Sequence, residues 1–384
     1  MKLSAEEQAR AEDFFKVQTA ESRVKTSIVE HFFVGWARII GNFQKKQGRA
    51  VSLAYADLFA GRGVYEDGGE GTAVRVARQV VGNDTWREST LMFFNEPDPK
   101  LHEVLKRSVL AVPRASELKH APIFRNEVVA ADYRSCLSEL GGRPTLFFVD
   151  PFGYKEIALG LLHDLVADGF GNDLVFFFNY RRVNAATSNS RFTKHMEEMF
   201  GADRAAALAA QVRPLRGFKR EQVIVEAIAS EVSSHVGKYV QRFRFAPRGK
   251  EATHYLFFVS KHPKGHELMT SIMGKRSSSN VGGVPTFEFS DTSTPLLFVV
   301  DEVERHADKI AEAFAGSEMT VDGIYSKYSV GRQVLRKTVK DALRRLESRD
   351  LIEVIPSADL RREGTLSDKA VVTFPAEGSN ELDE

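Results

Sequence analysis

The sequence predicts an α/β chain: a doubly wound, mostly parallel sheet with helices on both faces, followed by a smaller helical unit of different character. Three observations carry this. Short apolar runs rich in Phe, Leu and Val recur between helical or turn-rich stretches and barely alternate with polar residues, as strands buried on both faces do. Acids or glycine turns stand at the ends of several of these runs. Beyond residue 300 the runs give way to closely spaced helical patterns. At 384 residues the chain exceeds what one hydrophobic core usually serves, so two domains are expected.

The elements follow in order. Residues 24–43, "VKTSIVEHFFVGWARIIGNF", place Ile28, Phe32, Trp36, Ile39 and Phe43 three and four apart, the spacing of an amphipathic helix. "SLAYADLFA", "LMFFNE", "APIFRNE", "TLFFVD" and "DLVFFFN" read as five parallel strands. "VQRFRFA" and "THYLFFVS", separated by "PRGKEA", read as an antiparallel pair. The resulting count, a seven-stranded Rossmann-like sheet, favours a methyltransferase-type sheet over a six-stranded dinucleotide-binding one. Between the fifth strand and the pair, about 181–238, lies a helical insertion longer than a crossover needs, read as a cap or recognition element. Residues 1–273 are assigned to this first domain and the polar, glycine-rich 274–295 ("GKRSSSNVGGVP" at its start) to a flexible linker. Residues 296–376 contain "VDEVERHADKIAEAF", "VDGIYSKYS", "GRQVLRKTVKDALRRLESRD", "LIEVI" and "AVVTF", three helices and a two-stranded wing, hence a winged helix. The acidic end, 377–384, reads as a disordered tail.

Composition limits the function classes. Hydrophobic residues at 43% and charged residues at 27% describe an ordinary globular chain. A net charge of +1 leaves any nucleic-acid surface to local clusters of Lys and Arg. Cys136 is the one cysteine, so no internal disulfide or cysteine-based metal site forms, and no metal is expected. The start "MKLSAEEQARAEDFFK" lacks the apolar core of a signal peptide, and no apolar stretch reaches the ~20 residues that span a bilayer. A cytoplasmic location without membrane contact is expected.

"YADLFAGRGVYEDGGEGT", residues 55–72, raises the functional question. Asp57 ends the first strand, and Gly61 and Gly63 follow within six residues. Such glycines let backbone N–H groups approach a ligand in the crevice at the carboxyl end of an open sheet. A bare structural turn is the alternative. In "NEPDP", Glu96 ends the second strand, where an acid accepts bonds from ribose hydroxyls; in "AADY", Asp132 stands where an adenine amine would donate. Singly, each acid is more often a helix cap or a surface residue; acids at successive strand ends point to a nucleoside-bearing cofactor.

"DLFAGRGVY", "NEPDP", "AADY" and "FFVDPFGY" resemble, in order and spacing, the three-Cys-motif partner proteins, S-adenosylmethionine-dependent methyltransferase-like proteins named after a neighbouring protein with a three-cysteine motif. The resemblance covers about residues 20–270, and a C-terminal winged helix also fits that family. A more distant likeness, through an early lysine and Asp-x-x-Ala-Gly-x-Gly-x-Tyr, is to the bacterial 23S ribosomal RNA adenine-N6 methyltransferase. The resemblance implies that Asp57, Ala60, Gly61 and Gly63 line the methionine part of S-adenosylmethionine, Glu96 holds the ribose, Asp132 the adenine, and Lys25 reaches the same pocket. It also implies a three-Cys-motif protein as a possible partner.

Adenine-N6 methyltransferases carry an Asp/Asn-Pro-Pro-aromatic turn after strand four, which accepts the exocyclic amine and stacks on the flipped base. Here the turn reads Asp150, Pro151, Phe152, Gly153, Tyr154: Phe152 replaces the second proline and the aromatic moves one place along. Phe152 or Tyr154 would stack on a planar substrate, or the turn is structural with a buried Phe. "GTA" at 71–73 also departs from the family's Gly-Ser-Pro. For nucleic acid, Arg181 and Arg182 follow strand five, Arg213, Arg216, Lys219 and Arg220 lie in the insertion, and Arg242, Arg244, Arg248 and Lys250 near the strand pair. In the third helix of the winged unit, Arg336, Lys337 and Lys340 stand where a recognition helix meets phosphates, although winged helices also dock proteins. Three readings follow: a nucleic-acid methyltransferase, a non-catalytic partner that binds the three-Cys-motif protein or DNA, and a small-molecule or peptide methyltransferase.

Overall fold

The computed structural model describes residues 16–129, 138–151, 159–167, 169–181, 184, 197, 201–247, 251–291 and 301–376. Helix α1 (Ala20–Lys46) opens at Thr19, whose hydroxyl accepts the Ser22 amide, and buries Ile28, Phe32, Phe33 and Trp36. Then come β1 (Leu53–Asp57), α2 (Thr72–Gly82), α3 (Asp84–Ser89), β2 (Thr90–Asn95), α4 (Pro99–Leu110), β3 (Ile123–Arg125), β4 (Thr145–Val149), α5 (Leu159–Ala167) and β5 (Asp173–Phe178). Helices α6 (Ala202–Val212) and α7 (Gly217–His235) precede β6 (Tyr239–Phe245), β7 (His254–Ser260) and α8 (Pro263–Arg276).

Among the described residues the large sheet runs 3-2-1-4-5-7-6, with a two-residue strand β10 (Glu288–Phe289) added beside β6. Strands β1 to β5 pair in parallel, and β7 lies antiparallel between β5 and β6. The seven strands read from sequence are all present. The nearly unbroken apolar character of β1, β2, β4 and β5 follows from burial on both faces. Ala54, Ala56, Phe147 and Phe176 pack with α5, α6 and α7 on one side, while Tyr55, Phe94, Phe148 and Phe258 pack with α1, α2 and α8 on the other. Each fully buried Phe or Leu contributes on the order of 1.5–3 kcal/mol.

Two expectations change. Helix α7 buries Ile224, Val225, Ile228 and Val232 against the sheet, so the second half of the 181–238 segment is an ordinary covering helix rather than a cap. The flexible linker over 274–295 is overturned for its described part. Helix α8 continues to Arg276. Strands β8 (Asn280–Val281) and β9 (Val284–Pro285) then form a hairpin, and β10 joins the sheet edge. Gly282 and Gly283, at φ +56 and +81°, make a two-residue turn of the mirror-image type that hairpins favour. The glycines mark a turn, and buried Val284 and Phe287 anchor it.

Helices α9 (Glu302–Phe314), α10 (Val321–Tyr328) and α11 (Arg336–Glu347) share a separate core that includes Ile310, Tyr328, Leu343 and Val372. Strand β11 (Glu318–Thr320), not read from sequence, pairs with β13 (Val371–Thr373), which also pairs with β12 (Glu353–Ile355). This unit sits against the α/β unit. Gln333 Nε2 donates to Arg242 O at 2.5 Å, and Arg336 forms a bidentate pair with Glu267 of α8 at 2.5 and 2.9 Å. No described helix is long and apolar enough to cross a membrane.

Candidate active site

The carboxyl ends of β4, β1 and β2 lie side by side in the sheet. Asp57, 1% exposed, ends β1; its Oδ1 accepts the Phe59 amide at 3.2 Å and its Oδ2 the Tyr55 hydroxyl at 3.3 Å. Burial, reinforced by the nearby Asp150 charge, pushes the Asp57 carboxyl up to about 8 against the opposing Phe59 bond. At neutral pH Asp57 therefore holds a proton. Burial likewise pushes the Tyr55 phenol well above its ordinary range, so it remains a neutral donor.

Beyond β1 the chain turns through Gly61 (φ +60°) and Gly63 (φ +78°), both in the left-handed region that favours glycine. A side chain on Gly63 would lie 3.2 Å from Leu105 and Val74. The Gly71 amide closes the loop onto Gly63 O at 2.8 Å, directly before α2 begins. Ala60 donates its amide to Asn95 O at 2.9 Å, so its N–H ties the chain after β1 to β2 and is not left for a ligand. Asn95 in turn donates to Leu58 O and Glu127 O at 3.1 and 3.0 Å, fixing the strand ends. Glu96, 3% exposed, follows immediately, and its Oε1 accepts the Asp98 amide at 2.9 Å.

Lys25 and Asp150 meet each other. The buried Lys25 ammonium pairs with Asp150 Oδ2 and lies 4.6 Å from the centre of the Phe177 ring. Burial works against the lysine charge, but Asp150, Tyr65 and Glu21 hold its pKa above the ordinary value. Lys25 thus sits on the carboxylate expected to receive a substrate amine. Sequence reasoning missed the flanking groups. Phe177 stacks on His254 with ring centres 4.6 Å apart, His254 Nδ1 lies 3.4 Å from Glu21 Oε1, and Thr253 donates to that same oxygen at 2.7 Å. The signal available was weak: Glu21 and Lys25 are four apart on one helix face, while Phe177 and His254 are joined only through strand pairing.

Pro151 follows Asp150 after β4, and Arg181 is exposed with its amide on Thr253 O at 3.1 Å. Asp132, Phe152, Tyr154 and Arg182 lie outside the described residues. Arg248 and Lys250 also lie outside the described residues, and several of the described basic residues are engaged. Arg244 pairs with Glu221 and Glu288, Arg242 with Glu226, and Arg220 with Asn184. In α11, Arg336 binds Glu267, Asp322 and Asp368 and lies 4.2 Å from the Tyr325 ring centre. Lys340 binds Asp368 at 2.8 Å. Arg336 is thereby a tether between the two units, because three carboxylates already satisfy the guanidinium expected to meet phosphate. Lys337 is exposed.

No protein-family model matches the sequence, and no curated protein does. Among solved structures, a Legionella pneumophila protein aligns with 63% of this chain and 89% of its own at 14% identity and a TM-score of 0.35. A predicted O-methyltransferase from Agrobacterium tumefaciens aligns with 55% of this chain and 73% of its own at 14% identity and a TM-score of 0.28. The methyltransferase domain of bacterial CtHen1-C aligns with 63% of this chain and 98% of its own at 12% identity and a TM-score of 0.31.

Proposed function

We propose that this protein is an S-adenosylmethionine-dependent methyltransferase that acts on an amine or ring nitrogen of nucleic acid. The observation that carries the cofactor half is the arrangement at the ends of β1 and β2: a buried Asp57, a turn through two left-handed glycines, and the buried carboxylate of Glu96 one strand away. Those groups fit a ligand that joins an ammonium-bearing amino acid to a ribose. Asp57 and the glycine turn would hold the amino-acid part and Glu96 the ribose hydroxyls. When bound, the cofactor supplies a sulfonium methyl group. On the acceptor side, Asp150 would accept an amine N–H, which requires that the amine compete with or displace the Lys25 ammonium.

The nucleic-acid half rests on the family resemblance, on exposed Arg181 after β5, and on reading residues 301–376 as a winged helix with 356–370 as its wing. A cytoplasmic location and a three-Cys-motif protein partner belong to the same proposal. A second reading, a non-catalytic accessory protein, is favoured by one observation: Asp150 is already neutralised by Lys25 within the chain.

Titration calorimetry tests the cofactor half. The wild type binds S-adenosylhomocysteine, and Glu96→Ala weakens that binding through loss of the ribose contact. Incubation with labelled S-adenosylmethionine and separate RNA, DNA and peptide pools tests the rest. Label in RNA or DNA that disappears in Asp150→Ala supports the enzyme; cofactor binding without any transfer leaves the accessory reading standing.

A further inference from the structure

We infer that Gln18 is a positioning residue: the strap of residues 16–19 holds the glycine hairpin 64–70 in the form that receives the cofactor, an inference that rests on the cofactor reading above. The hairpin follows the Gly61–Gly63 turn directly and is closed by a bridge between Val64 and Glu70 and by the Tyr65 amide on Gly69 O at 2.7 Å. Its tip carries Gly68 at φ +84°. Hydrogen bonds of its own would leave so short a hairpin marginal.

The strap supplies the missing support from both sides. Gln18, 6% exposed, donates its amide to Asp67 Oδ2 and its Nε2 to Glu70 O, each at 2.9 Å. Asp67 returns its amide to Lys16 O at 3.2 Å, and its Oδ1 accepts the Gly69 amide at 2.9 Å. The fit leaves no space: a side chain on Gly69 would lie 2.8 Å from Gln18 Cβ and Oε1. Arg23 Nη1 holds Gln18 O at 2.5 Å, and Thr19 caps α1 one residue later. Two turns into that helix stand Lys25, on Asp150, and Thr26, whose hydroxyl lies 3.3 Å from that of Thr72 at the start of α2. The strap therefore sets the glycine loop in register with the Lys25–Asp150 pair, and a chain without it would have to order the hairpin when the ligand arrives, at a cost in affinity.

The test is calorimetric titration of S-adenosylhomocysteine into the full chain as wild type, Gln18→Ala and Asp67→Ala, well below the melting temperature of each. Both variants are expected to bind about tenfold more weakly, the effect of losing one or two hydrogen bonds that order a binding loop, and the Tyr65 and Gly71 amides to exchange faster in the free variants. A residue that merely stabilises the fold would lower the melting temperature and leave the dissociation constant of the folded protein unchanged. If Gln18→Ala does not fold, exposed Asp67 carries the test. Unchanged affinity in the variants beside a binding wild type overturns this inference and leaves the cofactor reading intact. Absence of binding by the wild type overturns the cofactor reading and this inference with it.

Discussion

Asp57 shows what burial does to one residue. Its folded pKa of about 8, against 3.8 ordinarily, means that between those values the folded chain keeps a proton the unfolded chain has released, so stability falls as pH rises through that window. Burial pushes Asp173 up to about 7, with the same sign. His266 and His306 act oppositely: burial lowers each from 6.5 to about 4, so stability falls as pH drops between those values. Below about 6.5 the two effects offset, and above it the carboxylates prevail. Urea midpoints should therefore decline from pH 6.5 to 8, and Asp57→Asn, which mimics the protonated acid, should flatten that decline. An equally steep curve in the variant would place the proton elsewhere.

At the scale of elements, the β1–α2 connection is ruled by backbone geometry. Gly63→Ala forces a side chain into a left-handed backbone and within 3.2 Å of Leu105 and Val74. It should cost about 1–3 kcal/mol in denaturant unfolding. Gly82, the last residue of α2, is a matched control: a side chain there meets nothing within 4 Å and the backbone is not left-handed. Gly82→Ala should be neutral or stabilising by up to about 1 kcal/mol. Equal effects at the two positions would show that the turn tolerates side chains and that its glycines serve no close approach.

For the whole molecule, the question is what α11 does. Arg336 joins the two units through Glu267, whereas Lys337 beside it is exposed. Arg336→Ala should loosen the junction, so that heating melts the C-terminal unit ahead of the sheet and calorimetry resolves two transitions. Lys337→Ala should leave melting unchanged, weaken nucleic-acid binding and lower the slope of log affinity against log salt by about 0.9 for one lost phosphate contact. An unchanged slope would assign this face to protein docking.

The sequence by itself determined the seven strands of the main sheet, the three late helices and the position of the glycine turn. These depend on local pattern: apolar runs too short for helices, helical spacing, and glycines that adopt backbone other residues avoid. The places of Asp57 and Glu96 at strand ends, and of Gly61 and Gly63 in the turn after β1, were legible for the same reason, since a strand end is a local feature. Tertiary structure alone decided the rest. Phe177 and His254 lie 77 positions apart in number and touch because β5 and β7 pair; Lys25 reaches Asp150 across the fold. The polar 274–291 stretch read as a linker because its few anchors, Val284 and Phe287, matter only once there is a sheet edge to cover. Arg336 on α11 read as a phosphate contact because the carboxylates that pair with it, Glu267, Asp322 and Asp368, come from three other parts of the chain. A sequence displays its charges, but only the folded chain shows which of them are already paired.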